Sequence, residues 1–462
     1  MSNKLHKKYG LFTAIAMVIG IVIGSGVFFK AEKVLTATGG NLFLGIIAWI
    51  IGGIIMITCA YTFSVMATKY EYVNGVVDYA EATMGKTYGY YVGWFMAVIY
   101  YPTLTSVLAW VSARYTCVLF GFSISGGECM TIACLYLVGA FAINSLSPIL
   151  AGKFQVCTTV IKLIPLLLLM AVVGTIVGVI NGMTSYNFQT VVEKVDMAGG
   201  LFTAVVATAF AYEGWIIATS INAELKDAKR NLPLALIIGT FAIMVVYILY
   251  YIGLAGAVPN SVMMAGGESG AKLAFEKIFS SVGGSLIFVF VIISCLGTLN
   301  GLMLGCTRGL YSIAARGLGP KQKVFKQVDN ITNMPTNSSV IGLLFCGVWL
   351  LFFYGSQLTE GWFGFFNFDS SELPIVTIYA MYIPIFIMMI KKETSLGVFK
   401  RFVMPILSII GCIFMIIAAC FSHKMHVVAY LIVFAIIMII GSITINKNRD
   451  HLVDEHKIVK NK

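Results

Sequence analysis

Apolar stretches of about 18 residues or more recur along the whole 462-residue chain, and they constrain its fold more than any other feature. At 1.5 Å per residue each can cross a hydrocarbon layer about 30 Å thick. Composition agrees: 59% of residues are hydrophobic and 11% are charged, against roughly 25% charged in an ordinary soluble domain. So few charges cannot cover a solvated surface. The length alone suggests about three soluble domains, but no polar block is long enough to fold by itself. The expectation is one all-α membrane domain.

Run length places about twelve spans, at roughly 11–37, 42–67, 89–118, 130–148, 154–181, 200–222, 233–257, 282–314, 337–354, 373–390, 402–421 and 427–445. An even number puts both termini on one side. The net charge of +11 then reads as a topology signal rather than as a nucleic-acid footprint. With the termini cytoplasmic, about 23 Lys and Arg fall inside and about 7 outside, and one, Lys162, falls within a span. The inner clusters include Lys226, Lys229 and Arg230, then Arg316, Lys321, Lys323 and Lys326, then Lys391, Lys392, Lys400 and Arg401; they could also touch anionic lipid. The ten cysteines are scattered without metal-ligand spacing and read as small apolar residues. Cys117 and Cys129 flank one predicted outer loop, where a disulfide is conceivable. The Asn337-Ser338-Ser339 sequon falls on the predicted inner side. Lys4, Lys7 and Lys8 precede an apolar run that continues into the other spans rather than ending at a cleavage site. The tail from Asn446 to Lys462 is polar and is expected to fray.

Three spans contain residues that a lipid-facing helix does not need. The first carries Ile23-Gly24-Ser25-Gly26-Val27-Phe28. Two glycines around a serine can serve helix packing, but they also weaken the helix at one point and expose backbone groups. Exposed backbone at that depth has to be satisfied by protein, water or a ligand. N–H groups opening a second half-helix favour an anion such as a carboxylate. The sixth span carries Phe210-Ala211-Tyr212-Glu213-Gly214-Trp215, where a carboxylate and a glycine are crowded by aromatic rings. Glu213 either lies near one membrane face or lines a functional cavity. The fifth span carries Lys162, about eight residues or roughly 12 Å in. It is either an interface lysine or an ammonium held inside by carbonyls and hydroxyls. Breaks in the first and sixth spans, five apart, occupy matching places in two halves of opposite orientation, which points to a transporter-type binding site.

These pieces, with Lys162-Leu163-Ile164-Pro165 and Leu299-Asn300-Gly301, resemble the amino acid–polyamine–organocation superfamily. Within it the chain is similar to the L-type amino-acid transporters, and most of all to bacterial serine/threonine and alanine/serine/cysteine exchangers, from Gly10 to about Lys392. The resemblance implies a LeuT-like 5+5 inverted repeat: a cytoplasmic segment 1–10, repeats at 11–190 and 199–392, two further helices at 400–445 and a cytoplasmic tail at 446–462. It implies that the amides of Gly24, Ser25 and Gly26 hold a substrate carboxylate, and that carbonyls around Ile23, Phe210, Ala211 and Glu213 hold its ammonium. Phe210 would be the outer lid. Lys162 would replace the sodium ion of coupled relatives, bridging the Gly20 carbonyl and the Ser294 hydroxyl. Two segments depart from the usual pattern: Glu71-Tyr72-Val73-Asn74-Gly75-Val76-Val77 lacks its Pro and first Gly, and Glu224-Leu225-Lys226-Asp227-Ala228 lacks its Asn-Pro.

The expected function is sodium-independent exchange of small neutral L-amino acids across the cell membrane by alternating access. The expected partners are amino acids and lipid, with no nucleic acid, no cofactor, no metal and no obligatory protein partner. Glu213 keeps a cationic amino-acid transporter open, and a proton-coupled symporter is a further alternative. A membrane amino-acid sensor is more remote. An enzyme would need a nucleophile–base pair or a metal cluster. The five histidines, His6, His423, His426, His451 and His456, all lie in loops or at termini.

Overall fold

The computed structural model describes residues 10–24, 26–70, 75–163, 170–218, 225–329, 331–332, 334–357 and 361–446. Ser25, Ile164-Pro165, the Glu71–Asn74 part of the first departing segment, Glu224 and the tail beyond Asn446 lie outside the described residues.

Among the described residues the chain folds into helices and no strand. Backbone N–H and C=O groups in lipid have to find partners within the same element, and a helix provides them. In chain order the helices are α1 (Leu11–Val22), α2 (Gly26–Ala37), α3 (Leu42–Lys69), α4 (Val76–Met84), α5 (Lys86–Phe95), α6 (Tyr101–Phe120), α7 (Gly127–Leu146), α8 (Pro148–Leu163), α9 (Thr175–Ile180) and α10 (Met183–Gln189). They continue with α11 (Met197–Ala211), α12 (Trp215–Ala218), α13 (Ala228–Ala257), α14 (Asn260–Gly266), α15 (Glu268–Ala315), α16 (Gln322–Phe325), α17 (Thr336–Gln357), α18 (Leu373–Lys392), α19 (Met404–His423) and α20 (Met425–Asn446). Nine helical stretches among the described residues are long and apolar enough to cross a membrane. They match the expected spans two to four and seven to twelve within a few residues.

Spans one, five and six are in pieces. The first is α1 and α2 with a gap between them, and the sixth is α11 and α12. The fifth is α8, then residues outside those described, then an apolar stretch Met170–Ile180 that ends in α9. Local sequence fixes several ends. Asn41 accepts a hydrogen bond from Leu44 N–H (3.0 Å) to start α3, and Asp196 accepts one from Gly199 N–H (2.7 Å) to start α11. Two further features are local departures from regular helix. The long α15 is interrupted at Phe279 and Ser280, where Ser280 takes φ 66°, ψ 167°. Between α5 and α6 the chain makes a π turn over Met96–Tyr100.

Packing sets the broken pieces at the centre. Helix α1 lies on α13, α2 lies on α11, and α15 is wedged between α6, α8 and α17. Helix α19 packs on α3, α11 and α18, so the first of the two helices after 392 is part of the core contact network. Cys117 and Cys129 are buried and carry no disulfide.

Candidate functional site

The break in the first span is a helix end followed by a helix start. Ile23 leaves helical geometry (φ −65°, ψ 105°), and its N–H still bonds the Ile19 carbonyl at 2.9 Å. The last carbonyls of α1 therefore lack intrahelical donors. Two of them are met by side chains. Lys162 donates its Nζ–H to the Gly20 carbonyl, and the Tyr247 hydroxyl lies 3.2 Å from the Val22 carbonyl. An orphaned buried carbonyl costs about 1–3 kcal/mol, so these two groups make the break tolerable. Lys162 is 1% exposed, so its ammonium is held inside the protein. The expected third member does not join them. Ser294 is fully buried, but its hydroxyl has no hydrogen-bond partner among the described residues.

The second break faces the first. Helix α11 ends at Ala211, and Gly214 takes φ +108°, a left-handed value that L side chains rarely adopt. The Tyr247 hydroxyl also lies 3.1 Å from the Ala211 carbonyl, so one phenol staples both breaks. Trp49 and Tyr212 hold that phenol from behind: the Tyr212 ring stacks on Tyr247 with centroids 5.2 Å apart, and its hydroxyl donates to the Trp49 carbonyl at 2.9 Å. The backbones approach so closely that a Cβ on Gly26 would lie 2.5 Å from the Ala211 Cα. Only glycine fits there.

Between the breaks lies a cavity of about 210 Å³. At about 30 Å³ per water molecule it has room for several waters or one small ligand. Gly24, Gly26, Phe210, Ala211, Glu213 and Lys162 all line it. Six of the residues expected at the site are thus brought to one space. Glu213 lines the cavity. It accepts a hydrogen bond from the Tyr100 hydroxyl, which the π turn carries to the cavity wall, and its other oxygen has no partner among the described residues. Thr298 and Gln155 complete the far wall. Sequence reasoning missed Tyr100, Gln155, Tyr247 and Thr298, because a tyrosine or threonine in an apolar run carries no mark that separates a site residue from a core residue.

Sequence reasoning also missed a buried charge cluster. The charge count set only Lys162 within a span, although the expected bounds 11–37 also enclose Lys30, and Lys30 of α2 is 1% exposed. Its Nζ lies 2.6 Å from Glu372 Oε1 and 3.0 Å from the Ser371 hydroxyl, and His423 Nε2 lies 3.0 Å from the other Glu372 oxygen. The ammonium also stands 5.4 Å from the centroid of the Phe210 ring, over the roof of the cavity. Burial pushes the Glu372 carboxyl up, but Lys30 and His423 more than offset this and hold it at about 2. At the opposite end Arg316 pairs with Asp78 and Glu81, and Glu393 pairs with Lys69 and accepts from the Tyr70 hydroxyl at 2.6 Å.

The arrangement can bind a small zwitterion: helix α2 offers amides at its N-terminus, and the helix ends across from it offer carbonyls. Among the described residues no three His, Cys, Asp or Glu side chains gather as metal ligands do. Known proteins agree with this chemistry. The serine/threonine exchanger SteT of Bacillus subtilis is 28% identical over 422 residues, covering 90% of this chain and 91% of its own. The human b(0,+)-type amino acid transporter 1 is 23% identical over 440 residues, covering 94% and 86%. Mouse large neutral amino acids transporter small subunit 2 is 26% identical over 337 residues, covering 72% and 62%. All three are transporters rather than enzymes. The amino acid permease family model matches residues 9–443, and the chain belongs to that family.

Proposed function

We propose that this protein is a sodium-independent exchanger of small neutral L-amino acids, built as two inverted five-helix repeats and working by alternating access. One observation carries the reading: the start of α2 and the ends of α1 and α11 face a single cavity, and one tyrosine hydroxyl lies between the last carbonyls of α1 and α11. The substrate carboxylate takes the N–H groups at Gly24, Ser25 and Gly26, where the helix dipole adds to the hydrogen bonds. The ammonium takes carbonyls around Ile23, Phe210, Ala211 and Glu213. Phe210 closes over the bound substrate on the Lys30 side. Lys162 donates to the Gly20 carbonyl, where a coupled carrier would need a cation from solution.

The protein works as a multi-pass protein of the cell membrane with both termini cytoplasmic and without an obligatory partner chain. With that orientation the Lys30–Glu372–His423 end is external. The serine/threonine exchanger among the relatives supports exchange of small neutral substrates.

A second reading, transport of cationic amino acids, is favoured by the unpartnered Glu213 oxygen at the cavity wall. Competition against labelled serine in sodium-free buffer separates the two. Inhibition by alanine and serine but not lysine supports the first reading. Inhibition by lysine that disappears in Glu213→Gln supports the second. Indifference to every amino acid overturns both.

A further inference from the structure

A second cavity continues from the central one toward the end of the bundle opposite Lys30. The two share Gly301 and Leu304 of α15 as lining residues. A third cavity, of about 550 Å³, shares Arg308 and Ser312 with the second and opens between Tyr311, Arg316 and Pro335. Helix α15 is the wall common to all three. Its residues 301, 304, 305, 308, 309 and 312 recur at intervals of three and four and lie on one helical face. Gly305 and Gly309 are packed directly against Tyr101 and Ala97, so this stretch of the face has small residues on either side of Arg308.

Arg308 is the cation on that face between the central cavity and the mouth. It is exposed, and it has no hydrogen bond or ion pair among the described residues. The acidic groups near the mouth are already engaged: Asp78 and Glu81 pair with Arg316, which also donates to Ser312. Seven residues separate Arg308 from Gly301, a rise of about 10 Å along the helix. A guanidinium presents a fork of donors that matches a carboxylate, and an unpaired one beside an aqueous route attracts such groups.

We infer that Arg308 forms a second carboxylate-binding station, which receives the α-carboxylate of an amino acid between the central site and the mouth near Arg316. This rests on the transport reading above. The station raises the occupancy of the route from that side, and so sets the affinity for substrate approaching from the Arg316 end more than from the Lys30 end. The same fork would also suit the phosphate of an anionic lipid headgroup, and the test distinguishes the two sources.

The experiment compares serine exchange in intact cells with serine exchange in inverted membrane vesicles, for the wild type, Arg308→Lys, Arg308→Gln and Arg308→Ala, each scaled to the amount of protein. For Arg308→Gln and Arg308→Ala the half-saturating serine concentration at the Arg316-end face is expected to rise about tenfold. The value at the other face should change less than about twofold, and Arg308→Lys should recover most of the loss. Equal rises at both faces, or none at either, overturn the station. The comparison is repeated in proteoliposomes of phosphatidylcholine alone. If the difference between wild type and Arg308→Gln disappears there, the ligand is a lipid headgroup and the station for substrate is overturned. Absence of exchange by the wild type overturns the transport reading, and the station with it.

Discussion

Gly26 sits where two main chains approach too closely for any side chain, with the Ala211 Cα 2.5 Å from where its Cβ would be. Because the obstructing atom is backbone, it cannot swing aside. Gly26→Ala should therefore lower serine exchange by more than about tenfold, with a thermal midpoint shifted by only a few degrees; an unchanged exchange rate would contradict the close-approach argument. Lys162 carries a different burden. Removing it leaves the Gly20 carbonyl without its donor at a cost of about 1–3 kcal/mol. Lys162→Ala should lower the thermal midpoint and abolish exchange, and a sodium-dependent recovery would support its role as a substitute cation. Both residues were legible in the sequence, Gly26 as half of a glycine pair and Lys162 as a charge that lipid does not tolerate. Tyr247 was not legible. It lies in Val246-Tyr247-Ile248-Leu249-Tyr250-Tyr251, and nothing local distinguishes the phenol that staples two breaks from its neighbours.

At the scale of elements, the Lys30–Glu372–His423 cluster ties α2 to the start of α18 and the end of α19. Breaking a buried pair by removing one partner costs about 3–5 kcal/mol because the other charge is stranded. Lys30→Ala and Glu372→Ala should each slow exchange, and the double variant should cost less than the sum of the two; full additivity would show that the pair is not a unit. The pH dependence follows from the carboxyl. Its value is depressed from the ordinary 4.5 to about 2, so its contribution is present above the ordinary value and is lost only as pH falls toward 2. The carboxyl's share of the difference in thermal midpoint between wild type and Glu372→Gln should therefore fall away only as pH drops below about 4.5. Span positions were readable from run length, and so was the first helix break. The interruption at Ser280 falls beside the expected start of the eighth span at 282, but the π turn ending at Tyr100 was not readable, because an apolar run passes through it unbroken. Lys30 was obscured by its place near the end of a run, where a lysine reads as an interface residue.

For the whole molecule, α-helical architecture and membrane residence followed from the low share of charged residues and the long apolar runs, and the amino acid permease family match agrees with both. The sequence reading also gathered the two breaks and Lys162 around one site, and the cavity brings them together. Substrate choice was not readable, because the wall opposite the breaks is made of Tyr100, Leu104, Leu108, Gln155 and Thr298, side chains that belong to none of the quoted motifs. Exchange itself depends on how reluctantly the empty carrier reorients, a barrier between two states. Counterflow in proteoliposomes addresses it directly. Purified protein is reconstituted with serine, alanine or no amino acid inside, and labelled serine uptake is followed in the absence and presence of sodium. The account predicts rapid uptake into serine- or alanine-loaded vesicles, more than about tenfold slower uptake into empty ones, and no effect of sodium. Equal uptake into empty and loaded vesicles, or uptake that requires sodium, would contradict it.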